Sequence, residues 1–162
     1  MIIKKAKNIN DYFLINQLAN SIWRECYKEI LSIDQIDYML SKFFSLENIK
    51  EEINKGMKYY LIDDIGFLAH KEIDNRLFLS KLYLNKESRR KGMAKEIINM
   101  LSKGNKSIYL TVNKYNKTAI TAYKKLGFKI IDSVITPIGE GFVMDDYIME
   151  KELLWNINFL II

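Results

Sequence analysis

The sequence predicts an α/β fold: a single domain with a mixed, mostly antiparallel sheet flanked by helices. Three observations predict it. Strand-like segments at 58–62, 65–71 and 77–84 follow one another across turns too short for anything but antiparallel pairing. A strand at 77–84, a helix at 93–101 and a strand at 107–112 form a crossover unit, whose two strands pair in parallel. Two further strands, 128–136 and 142–150, flank the turn sequence Pro137-Ile-Gly-Glu-Gly141.

Each element has a local signal. Residues 1–6 form a short strand. Asn8 or Asn10 caps a helix that runs through Cys26 and Tyr27, with Phe13, Leu14, Leu18, Ile22 and Trp23 recurring at helical spacing. Ser32 caps a second helix with Ile33, Ile36, Met39 and Leu40 as its apolar side, and Ser45 caps a third that stops at Lys55-Gly56. Asp63-Asp64 joins the first two strands of the meander, and Asp74-Asn75-Arg76 precedes the third. The central helix, 93–101, presents Met93, Ile97, Met100 and Leu101 on one face and ends at Lys103-Gly104-Asn105. A last helix over 116–126 is closed by Gly127 in the C′ position.

A chain of 162 residues, 49% hydrophobic and 28% charged, is long enough to bury a proper core in one domain. A formal net charge of +5 raises nucleic acid as a partner. However, the lysines are spread among glutamates, with no arginine-rich arm or DNA-reading motif, so no nucleic acid is expected. Most of that charge is expected to be solvated surface, with a share that steers a polyanionic ligand. One cysteine, Cys26, excludes an internal disulfide and fits a reducing cytoplasm. The N-terminus lacks the apolar core of a signal peptide, and no apolar run approaches the roughly 20 residues needed to cross a bilayer. A soluble cytoplasmic protein with no membrane partner is the expectation. The apolar extension 153–162 is too short to span and too greasy for water; it is expected to pack on its own domain or on a second copy, in a homodimer. One His and one Cys supply too few ligands for a metal, and Cys26 with His70 is discounted as a nucleophile and base: a lone thiol on an apolar helix face is usually structural, a lone strand histidine usually exposed.

The chemistry concentrates between the strand at 77–84 and the helix at 93–101, where Arg89-Arg90-Lys91-Gly92-Met93-Ala94 is basic and then small. A basic turn entering a helix suits a diphosphate, because unpaired N–H groups and the positive end of the helix dipole both attract anions. Gly92 and Ala94 leave the backbone open to phosphate oxygens. This is an R-x-x-G-x-A turn, neither a P-loop nor a dinucleotide fingerprint. A second block follows, Asn113-Lys-Tyr-Asn116-Lys-Thr-Ala119-Ile-Thr-Ala-Tyr123-Lys-Lys-Leu-Gly127-Phe128, after a strand ending Leu-Thr-Val. Together, in this order and separated by a strand, the two blocks resemble the GCN5-related N-acetyltransferases (GNAT) over roughly residues 59–153.

The resemblance implies the GNAT fold with splayed central strands, and acetyl-CoA as co-substrate. Backbone groups of Leu82, Tyr83 and Leu84 would then pair with the pantetheine arm. Main-chain N–H groups of Arg89, Arg90, Lys91, Gly92, Met93 and Ala94 would hold the pyrophosphate, with Lys95 next in the same wall. Asn116 would contact the cofactor arm, Lys125 would reach a phosphate, and Tyr123 would protonate the leaving thiolate. A phenol, pKa about 10, is matched to that role. Ser80 stands where some relatives carry a glutamate base. A water chain or a carboxylate elsewhere would take the amine's proton, or the amine arrives neutral; attack on the thioester is direct, with no acyl-enzyme.

Trp23, Tyr27 and Tyr38 lie in the helical stretch that covers the acceptor groove in this family; they line that groove or belong to the core. Asp145 and Asp146 border the acceptor site, or are solvated acids of a hairpin. The N-terminal half also resembles bacterial spermidine/spermine acetyltransferases, and its acids Glu25, Glu29, Asp34 and Asp37 could attract a polycation. The expected acceptor is therefore a polyamine or other small amine. Acetylation of a protein or peptide, and a non-catalytic acyl-CoA sensor on the same fold, are the alternatives.

Overall fold

Asn8, Ser32 and Ser45 cap the first three helices, each with its side-chain oxygen accepting from the first turn. In the computed structural model, which describes residues 1–153, they open α1 (Ile9–Cys26), α2 (Ile33–Phe43) and α3 (Leu46–Asn54), after a short edge strand β1 (Ile3–Lys5). The meander follows as β2 (Lys58–Ile62), β3 (Gly66–Ile73) and β4 (Arg76–Leu84). Beyond a 3₁₀ turn at Lys86–Ser88 come α4 (Met93–Leu101), β5 (Ser107–Asn113), α5 (Lys117–Lys125), β6 (Lys129–Gly139) and β7 (Phe142–Glu152). One seven-stranded sheet of order β1-β2-β3-β4-β5-β7-β6 results. Every neighbouring pair is antiparallel except β4 and β5. Among the described residues no helix is long and apolar enough to cross a membrane. The apolar extension lies, from residue 154 on, outside the described residues.

The sheet carries a core on each face. On one, α1, α2 and α3 bury Ile15, Ala19, Trp23, Ile36, Leu40, Phe44 and Ile49 against Tyr59, Phe67 and Ala69. On the other, α4 and α5 bury Ile97, Ile98, Leu101 and Ile120 against Leu77, Leu79, Ile108, Leu110 and Met149.

Several expected faces are rotated. Phe13 is about half exposed and Ile33 points to solvent, while α1 buries Asp11, Ile15, Ala19, Ile22 and Trp23. Phe13 lies between the turns of that stripe. Asp11 is buried because it works as a polar clasp, accepting from the Lys7 amide at 2.8 Å and from Lys4 Nζ at 3.0 Å. Met100 is exposed and Ile98 takes its place beside Ile97. Pro137 does not end a strand: β6 continues through it to Gly139, since β6 is the outermost strand and Pro137 sits at a register irregularity. The chain reverses at Glu140 and Gly141, both with positive φ, between Gly139 and Phe142.

Candidate active site

β4 and β5 pair over three residues alone, Arg76–Phe78 against Ser107–Tyr109. The stacked rings of Phe78 and Tyr109, 5.0 Å apart, close that end. From there β4 stays on β3 as far as Leu84 and β5 stays on β7 as far as Asn113. The β5-facing edge of β4, including Leu82, Tyr83 and Leu84, thus has no strand partner, and its backbone can pair with an extended ligand. A bulge accounts for the divergence. Ala69 faces Lys81 and His70 faces Leu79, so Ser80 has no counterpart and β4 bends there.

Side chains from the two faces of the sheet meet through this gap. Tyr27 caps the end of α1 and Tyr83 projects from β4 into the α1–α3 core, whereas Tyr123 lies on α5 among the residues of the opposite core. An intact sheet would separate them. Instead the Tyr27 phenol influences the ionisation of both Tyr83 and Tyr123, and Asn116, whose side-chain oxygen accepts from the Ala119 amide at 3.1 Å, influences Tyr27 in turn. Tyr123 is seated by Phe128, whose ring is 5.4 Å away edge-on and whose amide donates to the Tyr123 carbonyl at 3.0 Å. Burial, and then the Tyr27 phenol, push the Tyr123 hydroxyl above its ordinary value. It therefore stays protonated, a donor rather than a base, throughout the neutral range.

Next to the gap lies a place for an anion. Gly92 is the N-cap of α4 with φ 81°, and no side chain caps the helix. The first helical bond in it is Glu96 N–H to the Gly92 carbonyl, so the amides of Met93, Ala94 and Lys95 point outward unclaimed by the helix. Arg90, Lys91 and Lys95 are exposed around them. The Arg89 side chain behaves differently from its neighbours. Its Nε donates to the Leu84 carbonyl at 2.9 Å, and its Nη2 donates to Glu25 Oε2 at 2.7 Å and to Cys26 Sγ at 3.0 Å. It ties the turn to the ends of β4 and α1 and faces inward. That hydrogen bond is the first cause that holds the Glu25 carboxyl below its usual range, while burial pushes the Cys26 thiol up.

The other sequence candidates separate. Trp23 is buried, with ring centroids 4.6 Å from Tyr27 and 5.8 Å from Tyr83 in tilted contacts and 5.3 Å from Phe44 edge-on, so it packs against both tyrosines. Tyr38 sits away from them: its hydroxyl donates to the Ile138 carbonyl at 2.6 Å and its ring packs on Phe142. There it borders a cleft of about 480 Å³ with Asp34, Asp37, Ser41, Glu140 and Phe142. Lys125 is exposed in the last turn of α5. His70 is buried, not exposed, and stacks on Tyr60 at 5.4 Å. Cys26 meets Arg89 instead, so no Cys–His pair is assembled.

Strand parity divides the two adjacent acids. Phe142 and Met144 pack on the α1–α3 side, Tyr147 and Met149 on the α4–α5 side. Asp145 has the parity of the second set and pairs with Lys114 at 2.5 Å, so it is turned from Tyr27. Asp146 has the parity of the first, is 6% exposed and lies opposite Asn113, where β5 borders the gap. The two acids, adjacent in sequence, are thus on opposite faces, a separation that counting alternation back from Met149 makes legible.

A family model described as an acetyltransferase (GNAT) domain matches residues 27–150. Spermidine N(1)-acetyltransferase of Thermoplasma acidophilum is 28% identical over 159 residues, covering 90% of this chain and 93% of that protein. The crystal structure of PaiA N-acetyltransferase from Thermoplasma acidophilum in complex with coenzyme A superposes with a TM-score of 0.72 at 28% identity, over 94% of this chain and 99% of that one. That of spermidine N-acetyltransferase from Vibrio cholerae in complex with CoA and spermine gives 0.64 at 18% identity, over 94% and 95%, a likeness of fold.

Proposed function

The chain belongs to the acetyltransferase (GNAT) domain family, and from that premise we propose that it transfers the acetyl group of acetyl-CoA to a primary amine, a polyamine or another small amine, by direct attack. The observation that carries this reading is the meeting of Tyr27, Tyr83 and Tyr123 through the gap between β4 and β5. The pantetheine arm would lie along the unpaired edge of β4. The pyrophosphate would rest on the outward amides at the start of α4, among Arg90, Lys91 and Lys95.

In that pose the thioester reaches the tyrosine cluster. The amine lone pair attacks the carbonyl carbon, a C–N bond forms, and backbone N–H groups of β4 stabilise the oxyanion. As the C–S bond breaks, the Tyr123 hydroxyl gives its proton to the departing thiolate, and solvent restores it. A small amine is favoured over a peptide because the Thermoplasma acidophilum relative is a spermidine acetyltransferase.

The test is thiol release from acetyl-CoA against polyamines, amino acids and short peptides. Turnover is expected on small amines, with Tyr123→Phe lowering kcat about 100-fold or more while acetyl-CoA affinity stays unchanged. Turnover on peptides alone would replace the acceptor class. Acetyl-CoA binding with no turnover would favour a sensor.

A further inference from the structure

Ser80 leaves the reaction without an evident proton acceptor, since a serine hydroxyl cannot deprotonate an ammonium unaided. The acid that the fold turns toward the reacting centre comes from the other wall of the gap. We infer that Asp146 on β7 receives the acceptor's ammonium group and takes its proton before attack, an inference that rests on the reading above.

Four observations support it. Asp146 has the strand parity of Phe142 and Met144, which places it on the side of the sheet where α1 and α2 cover the acceptor approach. Its partner across β5 is Asn113, three residues before Asn116, so it stands beside the end of the gap that holds Tyr27 and Tyr123. It is 6% exposed, its carboxylate takes part in none of the side-chain hydrogen bonds or ion pairs among the described residues, and its oxygens are not fully occluded, so a ligand can reach them. A buried carboxylate without a counter-ion is costly unless a ligand supplies the cation, and a primary ammonium is such a ligand. Its neighbour Asp145, by contrast, already has Lys114.

The charged and titratable groups that act on Asp146 are the Tyr27 hydroxyl at the end of α1 and, from the other side of the strand, Asp145 and Lys114. Burial first, and Asp145 second, push its carboxyl up to about 6, with Lys114 opposing. That makes it a stronger base than an ordinary aspartate and still ionised at neutral pH. The balance closes. One ammonium proton passes to the Asp146 carboxylate and on to solvent; the neutral nitrogen forms the C–N bond. As the intermediate collapses Tyr123 gives its proton to the sulfur, and the second nitrogen proton passes through solvent to restore the Tyr123 phenol, so one proton is released overall.

The experiment compares wild type, Asp146→Asn and Asp146→Glu on the amine that turns over fastest, with acetyl-CoA affinity and thermal unfolding as controls. Asp146→Asn is expected to keep acetyl-CoA affinity within about twofold and to lose about 100-fold or more in kcat/KM. The acid-side limb near pH 6 should disappear, replaced by activity that climbs with pH as free amine accumulates. Asp146→Glu, which keeps a carboxylate, should retain a limb. A wild-type-like rate and limb in Asp146→Asn would overturn the inference and leave the proposed function standing. So would a loss of rate matched by a loss of acetyl-CoA affinity or folding with the limb preserved. A wild type that binds acetyl-CoA and turns over no amine would remove both.

Discussion

The most exacting stability prediction concerns Lys81, the residue that follows the bulge in β4. Its side chain is 8% exposed and enters the core beneath α3. There Nζ donates to the two Glu52 oxygens at 2.9 and 3.2 Å and to Ser80 Oγ at 3.3 Å. The rings of Tyr59 and Phe44 stand 5.2 and 5.7 Å from it. Burial pulls its pKa down and Glu52 pulls it back up. The two partners differ in their access to water: the Glu52 side chain is 25% exposed and also accepts from the Tyr59 hydroxyl. Removing each should therefore cost a different amount. Glu52→Gln strands a buried ammonium against a neutral amide, about 3–5 kcal/mol. Lys81→Met removes the cation, keeps an unbranched stem in the same space, and leaves Glu52 with Tyr59 and water, about 1–2 kcal/mol.

For a domain of this size the first corresponds to a fall in Tm of roughly 6–20 °C. The double variant should cost less than the sum by about 2 kcal/mol, because the stranded charge is gone. The sign of the pH dependence follows. In Glu52→Gln the folded lysine loses its proton below the unfolded value near 10.4. Between those two values the unfolded chain binds more protons, so stability rises with pH. The deficit against wild type should narrow between pH 7 and pH 10. Urea unfolding at both pH values measures it. Equal costs for the two single variants, or a deficit that stays constant with pH, would refute the argument.

Two further perturbations test the walls of the gap. Arg89→Ala removes the tie between the α4 turn, Leu84 and Glu25; with both side chains about a third exposed, solvent screening holds the loss to about 1–2 kcal/mol, and acetyl-CoA affinity should fall about tenfold as the turn loosens. Because Arg89 lowers the Glu25 carboxyl, that contribution is present above the unfolded value of 4.5 and is lost as pH falls through the folded one, so urea midpoints of wild type and variant should converge as the pH is lowered below that unfolded value. Gly66→Ala would place a Cβ 2.2 Å from the Tyr83 carbonyl oxygen, a backbone contact that must yield, so a loss of about 3 kcal/mol together with weaker acetyl-CoA binding is expected; an unchanged Tm would refute it.

Local chemistry was readable in the chain, and so was the order of elements. Ser32, Ser45 and Asn8 cap helices because a short side-chain oxygen accepts first-turn amides wherever it precedes an apolar period. Helix α4 begins at Met93 because Gly92 takes a positive φ that no neighbour takes as cheaply. What was not readable depends on partners distant in sequence. Arg89 looks like one more cation in a basic turn until α1 brings Glu25 and Cys26 to it. His70 looks like a surface residue until Tyr60 covers it. The bulge at Ser80 is a mismatch between two strands, and neither strand alone contains it.

The same reasoning explains why this site needs both halves of the sheet. Adjacent residues on a strand face opposite ways, so the pair Asp145-Asp146 sends one acid to each side. Lys114 neutralises the one toward α5, and the one toward α1 is the acid inferred above to receive the ammonium group. Tyr83, on the meander half, reaches Tyr123, on the crossover half, only because β4 bends away from β5 after three paired residues. A sheet zipped to its end would keep every residue of the two motifs and bring none of them together. The functional content of the sequence therefore lies as much in Ser80, which contributes an irregularity, as in Tyr123, which contributes a hydroxyl.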